Sequence, residues 1–442
     1  MLSSRFIYGQ DHALRPIPEF LGGWGLIFAG MVLAWRLEWR RSWEAPLAVT
    51  VGLAARILLW PSGLIQENDV YRYVVDGQVL LHGGNPYRWS PLELPGAVEG
   101  DLAEALREPG AETVLSRVGY PHLPTIYPPG AQLVFAAGAA MGGWDWRGQR
   151  AVFLLADCLS GWLLWNWLGR RCGGRRTFVL YWWNPLVLKE VANSVHLDVV
   201  PALAILLALY LVEIRKEAGG WGTMTALAAG GLAKLYPLLL IPLWVRSRWT
   251  GGSSRRKRLL LQAAAVPAIC VLGYLPFSGV GWRRLTESLA AYADRWVMND
   301  GFFALLWWLE QPRWAVAAAL GAALAATAWK VGRGWSPATA AYWLLLAWFL
   351  LIPTPFPWYA LPVAALAPVV SRRHAWPAVV LSGTFCLYYV HFLVEYRGLW
   401  EGWWELARWV EHGAVWVAAV AGLWPTGGSQ DTGQGSPGER RA

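Results

Sequence analysis

Residues 259–277 read LLLQAAAVPAICVLGYLPF, nineteen positions without one acidic or basic side chain, directly after Arg255-Arg256-Lys257-Arg258. Nineteen apolar residues as a helix are long enough to cross a bilayer, and the basic run in front marks the end that stays on the cytoplasmic side. Ala315–Trp329 and Ala338–Ile352 are free of charge in the same way. Across all 442 residues, 56% are hydrophobic and 15% charged, and mean hydropathy is +0.32. The apolar residues fall in blocks rather than amphipathic stripes, which excludes an ordinary soluble domain.

From these blocks the sequence predicts an all-α, polytopic transmembrane helical bundle. Spans are expected near 18–36, 45–64, 125–143, 150–168, 177–194, 197–213, 222–245, 259–277, 302–329 (two elements), 337–353, 357–371, 375–395 and 406–424, about eleven to thirteen helices. Residues 1–424 read as a single domain and 425–442 as a disordered tail rich in Gly, Ser and Gln. The start is polar and contains proline, so the first helix is expected to stay as an anchor rather than be cleaved. Net charge is +9. Its arginines cluster at 36–41, 170–176, 246–258 and 372–373, so the basic balance reports topology and anionic lipid rather than nucleic acid. Many of the 33 tryptophans sit at block ends, as an interfacial belt requires. The four cysteines are scattered without metal-ligand spacing.

One polar interruption stands out. Residues 65–124 hold nine acids against four arginines, and with Arg36–Arg41 inside, this loop lies outside the membrane. Within it Asp69–Leu81 reads as a helix ended by Gly83-Gly84-Asn85-Pro86, and Leu102–Val118 as a second, amphipathic helix on the surface. Loop 278–300 is expected to cap the same side. The charge rule also produces a conflict: if 125–143 and 150–168 both cross, Arg170–Arg176 falls outside. The Tyr127-Pro128-Pro129-Gly130 start makes 125–143 the candidate re-entrant segment.

On a helix, Asp69, Arg72, Tyr73 and Asp76 fall at i, i+3, i+4 and i+7 and share one face. Asn68 or Asp69 capping that helix, with Arg72 paired to Asp76, is the plain alternative. Lys189-Glu190, His196 and Asp198 lie in or beside apolar sequence, where ionisable groups usually face a cavity or each other. His196 and Asp198 alone are weak as a metal pair. Lys234 interrupts an otherwise uncharged block next to Tyr236-Pro237, where a helix must break. A cation beside broken backbone suits a phosphate, and a lysine snorkelling at a span end is the competing account. No dinucleotide fingerprint, phosphate-binding glycine loop, His-Glu-x-x-His or Gly-x-Ser-x-Gly is present.

Asp69–Gly77 (DVYRYVVDG), Gly84-Asn85-Pro86-Tyr87 and Pro124–Gln132 (PTIYPPGAQ) together resemble the first extracytoplasmic loop of bacterial GT-C glycosyltransferases, particularly the polyprenyl-phosphomannose-dependent mannosyltransferase-like branch. Asn184-Pro185, His196-x-Asp198, Ala233–Pro237 and Phe356-Pro357-Trp358-Tyr359 follow in that group's order, so the resemblance spans about residues 65–360. Val75 stands where a tryptophan is common, and Ser194-Val195 where a glycine-type residue precedes the histidine. The resemblance implies inverting transfer of a mannose-like hexose from a polyprenyl-phosphate carrier to an extracytoplasmic glycan, lipid or protein hydroxyl, in the bacterial inner membrane. By motif position it implies Asp69 as catalytic base with Glu67 as its understudy. It places Arg72, Tyr73, Asp76, Asn85, Tyr127, His196, Asp198, Lys234, Tyr236, Trp358 and Tyr359 at the substrates, with Lys234, Arg72 and His196 near the leaving phosphate. No residue is assigned as a metal ligand, and a divalent cation fits the chemistry without being demanded by it. A transporter or flippase of a lipid-linked sugar is the competing class. It would require paired broken helices in related halves, and the sequence shows no internal repeat.

Overall fold

The structure is a computed structural model describing residues 16–65, 67–171, 174–214, 220–249, 252–395 and 402–424. The expected disordered tail lies outside the described residues. All regular structure among those described is helical. In chain order the helices are α1 Pro16–Arg36, α2 Glu44–Leu59, α3 Asp69–Leu81, α4 Leu94–Ala97, α5 Asp101–Ala105, α6 Ala111–Leu115, α7 Pro129–Gly142 and α8 Arg147–Leu168. Then come α9 Val179–Trp182, α10 Pro185–Val187, α11 Val199–Ile214, α12 Gly220–Ala233, α13 Ile241–Ser247, α14 Ser253–Gly273, α15 Trp282–Arg295 and α16 Gly301–Ala304. The last are α17 Pro312–Val331, α18 Pro337–Leu351, α19 Leu361–Leu366, α20 Arg372–Thr384, α21 Cys386–Glu395 and α22 Gly402–Leu423.

Three of these, Pro18–Arg36 within α1, α8 and α17, are long and apolar enough to cross a membrane unaided. Other passes are broken near proline and repaired locally. In the stretch from Arg175 to Asn193, a 3₁₀ turn, α9, α10 and a π turn at Leu188–Asn193 follow one another. At the break before Pro185, Asn184 Oδ1 accepts from the Leu186 N–H (2.9 Å) while Nδ2 donates to Leu180 O (2.9 Å) and Ser382 Oγ (2.8 Å). Without water at that depth, backbone groups freed by a proline need such partners.

The topological conflict resolves at α7. Its 14 residues span about 21 Å at 1.5 Å per residue, short of a hydrocarbon core of about 30 Å. Just past its end, Trp144 Nε1 donates to Ala105 O (2.9 Å), so both ends of α7 lie in the environment of the outer loop. α7 therefore starts and ends on one side of the bundle, and α8 carries the chain to the other. At the far end of α8, Arg171 donates to Val369 O, while Arg36 lies over Trp376 and Arg372 over Trp35, so these arginines gather on one side, the arrangement the positive-inside rule favours for the cytoplasmic face.

α3 packs along α7, and the Asp76-Gly77 pair explains how closely. A Cβ on Gly77 would stand 2.3 Å from Phe135 O, so only glycine admits that approach. The expected helix Leu102–Val118 is corrected: α5 and α6 are separate, because Gly110 after Pro109 adopts φ +96° and the chain turns there. Loop 278–300 does lie over this side. On α15, Ser288 Oγ donates to Pro124 O (2.7 Å) and Arg284 Nη2 pairs with Glu93 (2.5 Å).

Inside the bundle, Arg56 on α2 pairs with Asp157 on α8 (Nε–Oδ2 2.5 Å), both almost fully buried. Arg56 also donates to Trp182 O (2.9 Å), and Tyr181 OH donates to Asp157 (2.7 Å). Removing one partner strands a buried charge, so Asp157→Ala is expected to lower stability by about 3–5 kcal/mol. Replacing both, Arg56→Met with Asp157→Leu, should recover most of it. Detergent-solubilised unfolding curves check this; a double variant no more stable than Asp157→Ala would contradict it.

Candidate active site

The chain leaves α2, turns, and enters α3 with Glu67-Asn68-Asp69. Neither Asn68 nor Asp69 serves as the helix cap: Asn68 makes no side-chain cap bond. Glu67 does that work, its Oε1 accepting the N–H groups of Asn68 (2.8 Å) and Asp69 (2.7 Å). Free N–H groups at a helix start need an acceptor, and because Glu67 supplies it, the Asp69 carboxylate is left for other use.

Glu67 turns its second oxygen to His196, Oε2 to Nε2 2.8 Å, and the buried Glu190 carboxylate lies 3.2 Å from the same nitrogen. His196 is delivered by the π turn. The residue before it, Val195, sits at φ +63°, a left-handed conformation costly for a β-branched side chain, and such strain concentrates at working sites. The imidazole stacks on Trp358 (centroids 4.0 Å apart), and Trp358 on Phe356 (4.6 Å). The Phe356–Tyr359 break thus forms the wall behind His196.

Asp198 stands at the start of α11, its carbonyl accepting the Ala202 N–H (3.1 Å). Fully buried, it pairs with Lys234 (2.6 Å). Lys234 is where α12 stops: the helix ends at Ala233 and a 3₁₀ turn begins at Tyr236. Its ammonium lies over the Tyr359 ring (4.3 Å). Tyr236 lies beside Asp198 with its ring 4.6 Å from Trp348. Tyr359 OH in turn meets Tyr292 OH from α15 (3.0 Å), which also bonds Thr354 (2.5 Å).

The electrostatics set Asp69 apart from its neighbour Glu67. Burial, reinforced by the Glu67 carboxylate, pushes its carboxyl up to about 6, while His196 and Lys234 pull it back. Burial acts the same way on Glu67, but His196 and the backbone N–H of Asp69 outweigh it and hold Glu67 below the usual carboxylate range. Two neighbouring carboxyls are driven apart, which is how a proton acceptor and a permanent anion are made from like residues.

Of the residues expected here, Glu67, Asp69, His196, Asp198, Lys234, Tyr236, Trp358 and Tyr359 gather at one end of the bundle, under the 65–124 loop, with Tyr127 beside Asp69. Three others, Arg72, Asp76 and Asn85, face elsewhere. The Arg72 guanidinium donates to the carbonyls of Leu123 (3.0 Å), Tyr120 (2.9 Å) and Gly119 (3.3 Å), holding the loop rather than facing the cluster. Tyr73 stays with the cluster: its ring stacks on Phe135 of α7 (4.5 Å) and meets Tyr127 edge-on (5.2 Å) beside Asp69. Asp76 is buried beside Arg72 and within 3.5 Å of Gln132 Nε2, and burial raises it to about 6. Asn85 donates to Phe277 O (3.1 Å). They share the helical face or the motif with Asp69, but that face lies against α7 and the loop. Tyr292 joins the cluster without having been expected in it, and Glu190, singled out with Lys189 as an ionisable pair in apolar sequence, faces His196. Only the capping loop at 278–300 hinted at Tyr292.

Glu67, Asp69 and His196 bring two carboxylate oxygens and a ring nitrogen within 4.8 Å of one another. Such oxygen and imidazole donors suit a divalent ion such as Mn²⁺ or Zn²⁺. Asp198 is not part of this set: it pairs with Lys234, and both carboxylates beside His196 come from the segment that enters α3.

No protein-family model and no curated protein matches the chain. Among solved structures, the chain is similar to ArnT from Cupriavidus metallidurans. The likeness to its apo state is 15% identity over 85% of this chain and 75% of that one, with a TM-score of 0.48. For the same protein bound to undecaprenyl phosphate the values are 15% identity, 87% of this chain and 77% of that one, and a TM-score of 0.48.

Proposed function

We infer that the chain is a membrane glycosyltransferase that moves a hexose of the mannose class from a polyprenyl-phosphate carrier to an acceptor hydroxyl on the extracytoplasmic side, inverting the anomeric carbon. One observation carries the reading: at the outer end of the bundle, a carboxyl released from capping and shifted toward neutrality shares a cluster with a lysine at a helix break.

The reaction asks for little more. The acceptor oxygen attacks C1 of the sugar, the C1–O bond to phosphate breaks, and the acceptor proton goes to Asp69. A general base of pKa near 6 is mostly ionised at neutral pH yet still accepts a proton. The leaving phosphate passes from one negative charge as a diester to two as a monoester. A fixed ammonium such as Lys234 stabilises that change more in the transition state than in the ground state. Phosphate leaves without a general acid, so one carboxylate suffices. A divalent ion held by Glu67, Asp69 and His196 would supply further positive charge for the phosphate, but it would compete with the acceptor proton for Asp69, so base catalysis by Asp69 describes the metal-free site. Tyr359 and Tyr127 bring hydroxyls suited to a sugar, while Trp358, stacked on both His196 and Phe356, backs the histidine.

The test is incubation of the purified full chain, in lipid nanodiscs, with mannosyl-phosphoryl-polyprenol and methyl mannoside, with and without Mn²⁺. Released polyprenyl phosphate and a product of inverted anomeric configuration are expected. Sugar transfer absent across a panel of polyprenyl-phosphate hexoses, with lipid-linked sugar moving across proteoliposome bilayers, would replace this reading by the transporter.

A further inference from the structure

Between the end of α2 and His196, several backbone carbonyls lose their intrahelical partners. α2 stops at Leu59, a turn follows, and the π turn ends at Asn193. Polar backbone in such apolar surroundings requires donors. Arg150 of α8, fully buried, provides them. Its Nη1 donates to Leu59 O (3.2 Å), Trp60 O (2.6 Å) and Ser62 O (2.8 Å), and its Nη2 to Asn193 O (2.9 Å). The Asn193 side chain closes the same gap: Oδ1 accepts from the Ile65 N–H (3.0 Å), and Nδ2 donates to Gly63 O (2.8 Å) and Ser62 Oγ (3.1 Å).

These bonds join the two segments that bear the working groups. Residues 59–65 run on into Glu67 and Asp69, and Asn193 runs on into His196 and Asp198. Beyond the brace, the two segments meet again at the Glu67–His196 contact of 2.8 Å. We propose that Arg150 and Asn193 are positioning residues for sugar transfer, fixing the segment that carries Asp69 against the segment that carries His196 and Asp198. The inference rests on the glycosyl-transfer reading. Neither residue is among the groups assigned to the donor, so loosening the brace should misplace the base while leaving donor binding alone. A small misplacement of a reacting group is costly in turnover.

The test uses the full chain in nanodiscs, with Asn193→Ala and the gentler Arg150→Lys, whose ammonium reaches fewer carbonyls than a guanidinium. Hydrogen exchange over 60–69 and 193–198 is read beside kcat and KM for mannosyl-phosphoryl-polyprenol. In Asn193→Ala, faster exchange confined to those two segments and a kcat reduced about tenfold, with KM within threefold, are expected. Arg150→Lys should fall between it and wild type in both readouts. Unchanged exchange in both variants would remove the brace. Faster exchange with unchanged kcat, or a rise in KM in its place, would remove the positioning role. If wild type transfers no sugar at all, the glycosyl-transfer reading and the positioning role fail together, and exchange alone decides whether the brace exists.

Discussion

Asp69→Asn is expected to lower transfer about 10³-fold and, at neutral pH, to make the protein more stable. The first effect follows from losing the proton acceptor while keeping its shape. The second follows from linkage. The folded carboxyl is raised from an ordinary 3.8 to about 6 by burial first and the Glu67 carboxylate second. A carboxyl raised on folding stabilises the fold only while protonated. That contribution is present below about pH 4 and is lost as pH rises through about 6. An asparagine never ionises, so the variant should melt above wild type at pH 7.5 and together with it near pH 4. Wild-type kcat/KM, measured in chelator, should rise with pH through about 6 as Asp69 ionises. Wild-type-like turnover in the variant would remove Asp69 as base. A variant that is inactive but less stable at pH 7.5 would mean that Asp69 holds the structure together. Simultaneous gain of stability and loss of activity is the signature of a side chain kept in an unfavourable state for use.

That signature explains which parts of the site were legible in the sequence. Asp69–Leu81 is bounded locally, by polar residues before it and by glycines with Asn85-Pro86 after it, and it forms with those bounds. The break at Lys234 is equally local, since Pro237 removes a backbone donor. The face shared by Asp69, Arg72, Tyr73 and Asp76 was readable as geometry, but its partner was not. Arg72 is spent on carbonyls 47–51 positions away, a commitment that helical spacing does not encode. The same holds for Tyr292, whose hydroxyl reaches Thr354 and Tyr359 from a surface helix. The return of α7 to its own side of the bundle was signalled by the charge conflict and the Tyr127-Pro128-Pro129-Gly130 start, and the Trp144–Ala105 contact fits it. Capping by Glu67 rather than Asn68 or Asp69 was undecidable from composition, because all three are able acceptors.

Lys234→Met is expected to lower transfer about 10²–10³-fold, the range for removing one preorganised group that stabilises transition-state charge. Two mechanisms predict that loss and need separating. In one, the ammonium meets the leaving phosphate. In the other it only neutralises Asp198, which is fully buried and lies 2.6 Å away; without it a bare buried carboxylate would distort the site. Adding Asp198→Asn distinguishes them. The double variant has no stranded charge, so if neutralisation were the whole role, both folding and turnover would return. If the phosphate needs the cation, folding returns and turnover does not. The second outcome is expected because Lys234 keeps partial exposure at its helix break (16% of its side chain against 0% for Asp198). Its ammonium can therefore reach a ligand, whereas Asp198 meets only protein. Lys234→Arg should recover part of the rate, since a guanidinium keeps the charge but no longer fits over the Tyr359 ring in the same place. Full activity in the double variant would move the leaving-group cation elsewhere in the cluster.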